Sequence, residues 1–405
     1  MPQQAFEDWR PGFSLPRELY LDDAVFADEL DRIWRSSWLF AAFAAELPAP
    51  GAFVSHAVGD ARILIVRDDD GALRGVHNTC RHRGMPVCEE ARGSVERWVC
   101  PYHQWTYARD GALLGAAGLD GAADPASLGL RRAPVEEVGG LVFAWLGDGE
   151  PAPFGPARRV LGEALALQGL DRARVAHAID YEVRANWKLV WENNRECWHC
   201  HLGPPEYAQA NFDVAPDTRR TRELAAARAA DHARLLARAG APATDEHVGP
   251  GLYAFPSPGR GWSANRTPLA PGFVTESLDG RPVAPLMGGH PDYDVGTLRV
   301  RTVPNLWCHA SADHAVLTRL EPLAPGLTRA RVSWLVDAGA VEGTDFELGR
   351  LLPFWQLTSE QDWDLCERNH AGVRNPAYEP GPYSPSREAN VAAFSAWYVG
   401  RMTAA

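Results

Sequence analysis

The chain has 405 residues, 46% hydrophobic and 23% charged, a globular composition long enough for two packed domains. Forty Lys and Arg against 52 Asp and Glu leave a net charge of −12, which argues against nucleic acid as the main partner, because a phosphate backbone calls for a basic face. The longest near-apolar run, Trp38 to Ala45, is only 8 residues, and the acid-bearing start MPQQAFEDWR lacks the apolar segment of a signal peptide; a soluble cytoplasmic protein with no membrane span is expected. Seven Cys, an odd number in a long chain, disfavour disulfide stapling and favour metal binding or plain burial.

In chain order, residues 17–45 read as helical, with Leu19, Val25, Phe26, Leu30, Ile33, Trp34 and Trp38 at helical spacing. From Gly51 to Gly147 short Val-, Ile- and Trp-rich runs (61–66, 97–100, 140–146) alternate with Asp-Gly punctuation, the pattern of a small antiparallel β domain. The Pro/Gly-rich stretch 148–158 reads as a linker. Residues 177–185 read as a strand, and 186–203 as a helix stopped by Pro204-Pro205, since the residue before proline is pushed out of the α region. A helix at 219–240, strands at 297–303, 314–321 and 327–337, and a helix from about 343 to 371 with a break near Pro353 follow. This second part is α+β, with an antiparallel sheet and helices beside it.

Two clusters of metal-binding residue types stand out. Cys80-Arg81-His82 is followed, 17 residues later, by Cys100-Pro101-Tyr102-His103. Two thiolates and two imidazoles on paired loops suit either one tetrahedral zinc or a [2Fe–2S] cluster with both Cys on one iron and both His on the other. One Cys and one His in each loop favour the cluster. Cys88, between the loops, reads as buried. The second cluster is Glu196 with His199, spaced i, i+3 and so on one helical face.

The stretches HNTCRHRG (77–84) and CPYHQWTY (100–107) resemble the cluster motif of the Rieske-type non-haem iron oxygenases, in their large catalytic subunit. The resemblance runs over about 35–150 and 178–400. It implies a Rieske domain followed by a helix-grip catalytic domain whose antiparallel sheet wraps a long helix. The division expected is 1–45 as an N-terminal helical segment on the catalytic domain, 46–150 as the Rieske domain and 151–405 as the catalytic domain. The family's mononuclear iron is held by two His and one carboxylate, which leaves positions open for dioxygen. Glu192-Asn193-Asn194-Arg195-Glu196-Cys197-Trp198-His199 is similar to the family's active-site helix. On that resemblance Glu196 is the acid that links this iron to a neighbouring subunit's Rieske histidine, and His199 is the first iron ligand.

The second ligand histidine falls at position 204, which here is Pro204, and proline cannot ligate iron. His201 or Glu206 is a candidate substitute; another residue brought in by the fold, or a site without iron, is the alternative. FWQLTSEQDWDLCERNHAGV resembles the family's C-terminal helix, with Asp362 at its iron aspartate; Ser359-x-x-Asp362 also reads as a helix-capping signature. Cys197 and Cys200 read as core packing rather than a zinc site, and His309 and His314 as satisfied histidines.

The runs ENNRECWHC (192–200), TESLDGRPVAPLMG (275–288) and NPAYEPGPYSP (375–385) are similar to the branch containing glycine-betaine and stachydrine demethylases and choline and carnitine monooxygenases. That branch oxidises a carbon next to a charged nitrogen. An aromatic box holding the cation by cation–π attraction is therefore expected, with Trp191, Trp198, Trp355, Trp363, Tyr378 and Tyr383 as candidates and His370 as structural or substrate-facing. The resemblance implies electrons from a flavin-dependent NAD(P)H reductase, with or without a ferredoxin, and a homotrimer acting on a small substrate with dioxygen. The rival is an electron-transfer or ligand-binding protein that keeps the cluster and has lost oxygenase chemistry.

Overall fold

A computed structural model describes residues 3–118, 121, 123–201, 205–212, 218–239 and 261–404. It opens with three short helices, α1 (Gln3–Asp8), α2 (Glu18–Leu21) and α3 (Asp23–Glu29), and a single π turn at Leu30–Trp34. The helix expected over 17–45 stops there. Strand β1 (Leu39–Phe43) follows, with all five residues buried. Continuous burial is what a sheet interior offers, and tertiary pairing overrides the helical tendency of the alanines.

The β domain is built from β2 (Ala52–Val58), β3 (Ala61–Arg67), β4 (Leu73–His77), β5 (Arg92–Ser94), β6 (Trp98–Val99), β7 (Thr106–Tyr107), β8 (Leu113–Gly115), β9 (Arg132–Ala133), β10 (Val135–Val138) and β11 (Leu141–Ala144). They form a five-stranded sheet β5-β2-β3-β4-β9, a small sheet β6-β7-β8, and a sheet β1-β11-β10 that ties the N-terminal segment to this domain. Every pairing is antiparallel, as the Asp-Gly spacing implies. Leu64, Val66, Val76, Trp98, Trp105 and Tyr107 pack around the two buried cysteines Cys80 and Cys100.

The stretch read as a linker runs into a helix, α4 (Gly155–Leu165), started by Pro156 in its first turn, where proline's missing N–H costs nothing. The second domain then wraps a six-stranded antiparallel sheet, in the order β12-β17-β16-β15-β14-β13, from β12 (Ala173–Val183), β13 (Trp262–Thr267), β14 (Thr297–Thr302), β15 (Leu306–Ala310), β16 (Ala315–Ala324) and β17 (Leu327–Asp337). Its helices are α5 (Trp187–Asn194), α6 (Pro205–Ala210), α7 (Arg219–Arg238), α8 (Leu348–Leu351), α9 (Pro353–Val373) and α10 (Ala389–Thr403). The long helix α9 packs along α5 and α6 and against β12. Among the described residues no helix is long and apolar enough to cross a membrane.

The short helix α5 is held firmly. Asn186 caps it by accepting from Lys188 N at 2.9 Å and donates to the Tyr20 and Pro325 carbonyls, both at 2.8 Å. A cap of this kind contributes about 1 kcal/mol. Trp187, Leu189, Val190 and Trp191 are buried behind it, at roughly 1.5–3 kcal/mol for each large apolar side chain. The structure ends α5 at Asn194 rather than carrying the helix to 203. Beyond it the Glu196 carboxylate accepts from the Trp198 N–H, a local bond that competes with helical pairing. A 3₁₀ turn, His199–His201, follows.

Candidate metal centres

The two loops of the β domain are built alike. Gly84 N–H donates to the Cys80 carbonyl and Gln104 N–H to the Cys100 carbonyl, both at 2.9 Å. Residues 84 and 104 both have positive φ, at 80° and 59°, and Gln104 is the one non-glycine residue in that region among the described residues. Such a turn wraps backbone tightly around each cysteine. Cys80 and Cys100 are buried, while His82 and His103 reach toward solvent with their Nδ1 atoms 3.1 Å apart. Trp105 stacks on the His82 ring at 4.9 Å. The Tyr107 hydroxyl lies 3.1 Å from Cys80 Sγ and accepts from Arg81 N at 3.1 Å.

Among the described residues, no three His, Cys, Asp or Glu side chains converge as one metal ion would require. The four loop residues separate into a buried thiol pair and an imidazole pair, His82 exposed and His103 partly so. That separation fits a two-iron cluster with both Cys on one iron and both His on the other. Cys88, read as buried, is half-buried beside them, 3.1 Å from a Glu90 carboxylate oxygen.

In the second domain, Glu196 Oε1 lies 2.5 Å from His199 Nδ1. The expected i, i+3 contact thus forms although the helix does not. His199 Nε2 turns the other way, to 3.3 Å from Asp362 Oδ1 and 3.4 Å from the Asn193 amide nitrogen. Burial works against a charged imidazole, but hydrogen bonds to Asp362 and Glu196 and the charge of both carboxylates win, raising the His199 pKa to about 10. Burial, with a smaller contribution from Glu196, pushes the Asp362 carboxyl up. The Asp362 Oδ1 contact to His199 Nε2 is long, at 3.3 Å, and this buried oxygen has no other partner among the described residues. A buried carboxylate oxygen held only by a long contact to an imidazole nitrogen is what a cation would satisfy, so the residues present fit an iron ion. Because α9 begins at Pro353, Ser359 and Asp362 sit well inside the helix, and the capping reading of that pair falls.

The third ligand position is left open. Pro204 lies outside the described residues, and His201 is described only as the end of the 3₁₀ turn. Glu206, in the first turn of α6, has a buried Oε2 without a hydrogen-bond partner among the described residues. Cys197 and Cys200, read as packing residues, are joined by a disulfide that brackets His199. C-x-x-C spacing is compatible with such a bridge, so the cysteine count misled here.

The aromatic candidates divide. Trp191 is fully buried, donates to the Pro304 carbonyl and packs on Trp307 and Phe394. Trp198 is 54% exposed. His370 is buried two turns past Asp362, facing Gly326. Trp363 packs on Trp307 and Tyr181. Trp355 is seven residues before Asp362 on α9, hence on the same face and about 10 Å along the axis. Its ring meets His309 at 4.4 Å and Tyr207 at 5.9 Å. Behind His309 lies Glu276, 3.3 Å from its Nδ1. Burial holds the His309 pKa down at about 4. Burial works to raise the Glu276 carboxyl, but His309 and Arg299 outweigh it, so a negative charge stands beside an aromatic wall.

Tyr378 and Tyr383 instead line a separate cavity of about 330 Å³ over the Glu196 side of His199, with Glu192 and Glu388. Burial raises the Glu192 pKa to about 7, against a hydrogen bond from Tyr20 at 2.8 Å. Asn193, Tyr107, Tyr207 and Glu276 were not singled out from the sequence. Asn193 carried a signal, three residues before Glu196 on the same helical stripe.

The pattern of the Rieske [2Fe–2S] domain matches residues 37–123, and that of the ring hydroxylating alpha subunit catalytic domain matches residues 170–404. The glycine betaine monooxygenase oxygenase subunit of Chromohalobacter salexigens is 39% identical over 394 residues, covering 96% of this chain and 86% of that protein. That of Pseudomonas aeruginosa is 35% identical over 398 residues, covering 96% and 89%. A solved quaternary ammonium Rieske monooxygenase shares the fold, with a TM-score of 0.71 at 18% identity over 100% of this chain and 99% of the other. The chain belongs to the Rieske non-haem iron oxygenases as a ring-hydroxylating-type alpha subunit. It is an oxidoreductase whose cofactors are a Rieske [2Fe–2S] cluster and a mononuclear iron, and it takes electrons from a reductase or electron-carrying partner to oxidise a small substrate with dioxygen. This places the oxygenase reading over the electron-transfer alternative.

Proposed function

We propose that this chain is the oxygenase component of a betaine N-demethylating monooxygenase, acting on a trimethylammonium carboxylate such as glycine betaine. The observation that carries the reading is 39% identity to a glycine betaine monooxygenase subunit, sustained over 96% of the chain and so through both metal centres. The overall change removes one methyl group as formaldehyde, which takes one oxygen atom of O2. The other oxygen leaves as water, and two electrons come from NAD(P)H through a flavin reductase or ferredoxin.

Cys80 and Cys100 would hold one iron of the cluster, and His82 and His103 the other through Nδ1. His199 Nε2 and Asp362 would hold the mononuclear iron, with His201 or Glu206 in the position that Pro204 cannot fill. The cluster supplies electrons one at a time, and the iron supplies dioxygen activation. Glu196 fixes the His199 ring by taking its Nδ1 proton as a hydrogen bond, a carboxylate–histidine arrangement that sets both tautomer and orientation. Trp355 and Tyr207 face the ammonium group, with Glu276 as the nearby negative charge.

The division into 1–45, 46–150 and 151–405 and the homotrimer belong to the same reading. The exposed Rieske tip carries Arg81, Arg83 and Tyr102 beside the histidines. The cavity over Glu196 is lined by Glu192 and Glu388. The basic tip and the carboxylates Glu196 and Glu388 on that cavity suit docking of one subunit's tip over its neighbour's Glu196.

The test is reconstitution with a surrogate reductase after iron and acid-labile sulfide have been counted. Near three iron and two sulfide per chain, with glycine betaine-dependent O2 uptake matched one to one by formaldehyde, is the expected result. Full metal content with no formaldehyde from glycine betaine, carnitine or choline overturns the substrate. Two iron and two sulfide with no gain on adding ferrous ion overturns the oxygenase site.

A further inference from the structure

A second cavity, sharing no residue with the one at His199, lies where the N-terminal segment, β11, α4, the start of β13 and α10 meet. Its volume is about 460 Å³, in the range of small-ligand sites. Trp38, Trp145, Trp262 and Trp397 line it, with Thr302 and Arg401. Nothing in the oxygenase reaction calls for it.

Its walls have the chemistry of a box. Trp38 stands at 63° to Trp145, with centroids 5.9 Å apart, and at 62° to Phe154 at 5.2 Å. Trp38 is fixed by donating its Nε1–H to the Ala152 carbonyl at 2.7 Å. These edge-to-face contacts lock Trp38 in place on an aromatic lining, and Trp is the strongest cation–π partner.

Its polar groups lack partners. Trp145 is 7% exposed and Thr302 5%, yet Trp145 Nε1 and Thr302 Oγ1 make no hydrogen bond among the described residues. A buried donor left unpaired costs about 1–3 kcal/mol, so two on one cavity call for an acceptor. Arg401 hydrogen-bonds through Nη2 alone, to the Arg32 and Ser36 carbonyls and Ser36 Oγ at 2.9, 2.9 and 2.8 Å. It has no carboxylate partner among the described residues. Arg401 and the two unpaired groups suit a negative group on one side, and the tryptophans suit an ammonium on the other, so an occupant that uses the whole lining carries both charges.

We propose that this cavity is a second, non-catalytic site for a zwitterion with a quaternary ammonium and a carboxylate, the ammonium against Trp38, Trp262 and Trp397 and the carboxylate against Arg401, Trp145 Nε1 and Thr302 Oγ1. The assignment rests on the lining and not on which substrate the iron site turns over. The occupant bridges the N-terminal segment and α10, so its binding ties the two chain ends to the sheet.

Calorimetric titration of the oxidised holoenzyme, without reductant and therefore without turnover, tests this. Glycine betaine is expected to show a binding event that weakens at least tenfold in Arg401→Gln and in Trp397→Leu and is unchanged in Trp355→Ala. Choline, with the same ammonium group and no carboxylate, is expected to bind this site at least tenfold more weakly than glycine betaine, and to lose that handicap in Arg401→Gln. The comparison of ligands on the unaltered protein holds even if a variant does not fold. Equal binding of choline and glycine betaine at this site overturns the role of Arg401. Benzoate binding there in preference to glycine betaine overturns the ammonium box. A single event sensitive only to Trp355→Ala overturns the second site, whereas an Arg401-sensitive event with no second, Trp355-sensitive event beside it supports the second site and overturns only the substrate position at the iron.

Discussion

Glu196→Gln separates the positioning of the iron histidine from its ligation. Glutamine keeps the length of the side chain and one carbonyl oxygen. In the native arrangement one carboxylate oxygen takes His199 Nδ1 at 2.5 Å and the other accepts from the Trp198 N–H. An amide cannot accept at both places: whichever way it is turned, its NH2 faces a donor. One of the two bonds is lost and the negative charge with it. Charge-assisted bonds of this kind contribute about 1.5–3 kcal/mol, and partners behind a metal-bound histidine are worth about 10–100-fold in metal affinity or activity. Substrate-dependent O2 uptake is therefore expected to fall by about 10–100-fold. The Rieske cluster should still assemble and keep its visible and paramagnetic signals, because its ligands are Cys80, His82, Cys100 and His103 and Glu196 supplies none of them. Iron should remain near three per chain when ferrous ion is supplied in excess. Turnover within twofold of the parent would refute the positioning role, and loss of the cluster signal would mean that the substitution acts by unfolding instead.

Two further outcomes follow from buried groups. Lys188 and Glu29 pair with both side chains fully buried, and Glu29 also takes hydrogen bonds from Trp187 and Tyr398 at 2.7 Å each; Lys188→Met leaves that carboxylate uncompensated and should cost about 3–5 kcal/mol in denaturant unfolding, with part of it recovered in Lys188→Met/Glu29→Gln. His56 is buried, and desolvation, aided by the Arg319 charge, lowers its pKa to about 3. Between that value and the unfolded value near 6.5 the unfolded chain binds the extra proton, so stability falls as pH falls, by about 2 kcal/mol from pH 7 to pH 5. His56→Leu should reduce the slope by that amount, the remainder coming from other buried histidines such as His309, and an unchanged slope in unfolding curves would show that His56 carries none of it.

Where local chemistry decides an element, the sequence was readable. The Asp-Gly turns gave the antiparallel β domain, and strand-like runs gave β12, β14, β16 and β17 to within a few residues. Where packing decides, it was not. Leu39–Phe43 carries the composition of a helix and becomes a strand because β11 offers a partner on which all five residues are buried. The helix α4 starts inside a Pro/Gly-rich stretch because Pro156 sits in its first turn, the one place where proline favours a helix. The end of α5 at Asn194 rather than 203 turned on one side chain, Glu196, taking a backbone N–H for itself.

The same division runs through the metal centres. Spacing alone placed Cys80, His82, Cys100 and His103 on two matching turns, because each turn is local and each carries its own ligands. Glu196 and His199 meet for the same reason, even without a helix between them. Asp362 comes from 163 positions further on, and only the resemblance could bring it to His199. The aromatic candidates fared differently because a tryptophan's spacing does not say which surface it covers. Trp191 went to the core, Trp198 to solvent, and Trp355 to the wall shared with His309 and Tyr207. Four other tryptophans form a lining that no motif announced, since they come from four separate segments of chain. A ligand site assembled that way leaves its trace in buried groups without partners among the described residues and in a guanidinium without a carboxylate there, rather than in a pattern of residues, which is why the cavity at Trp38 and Arg401 became visible only once the chain was folded.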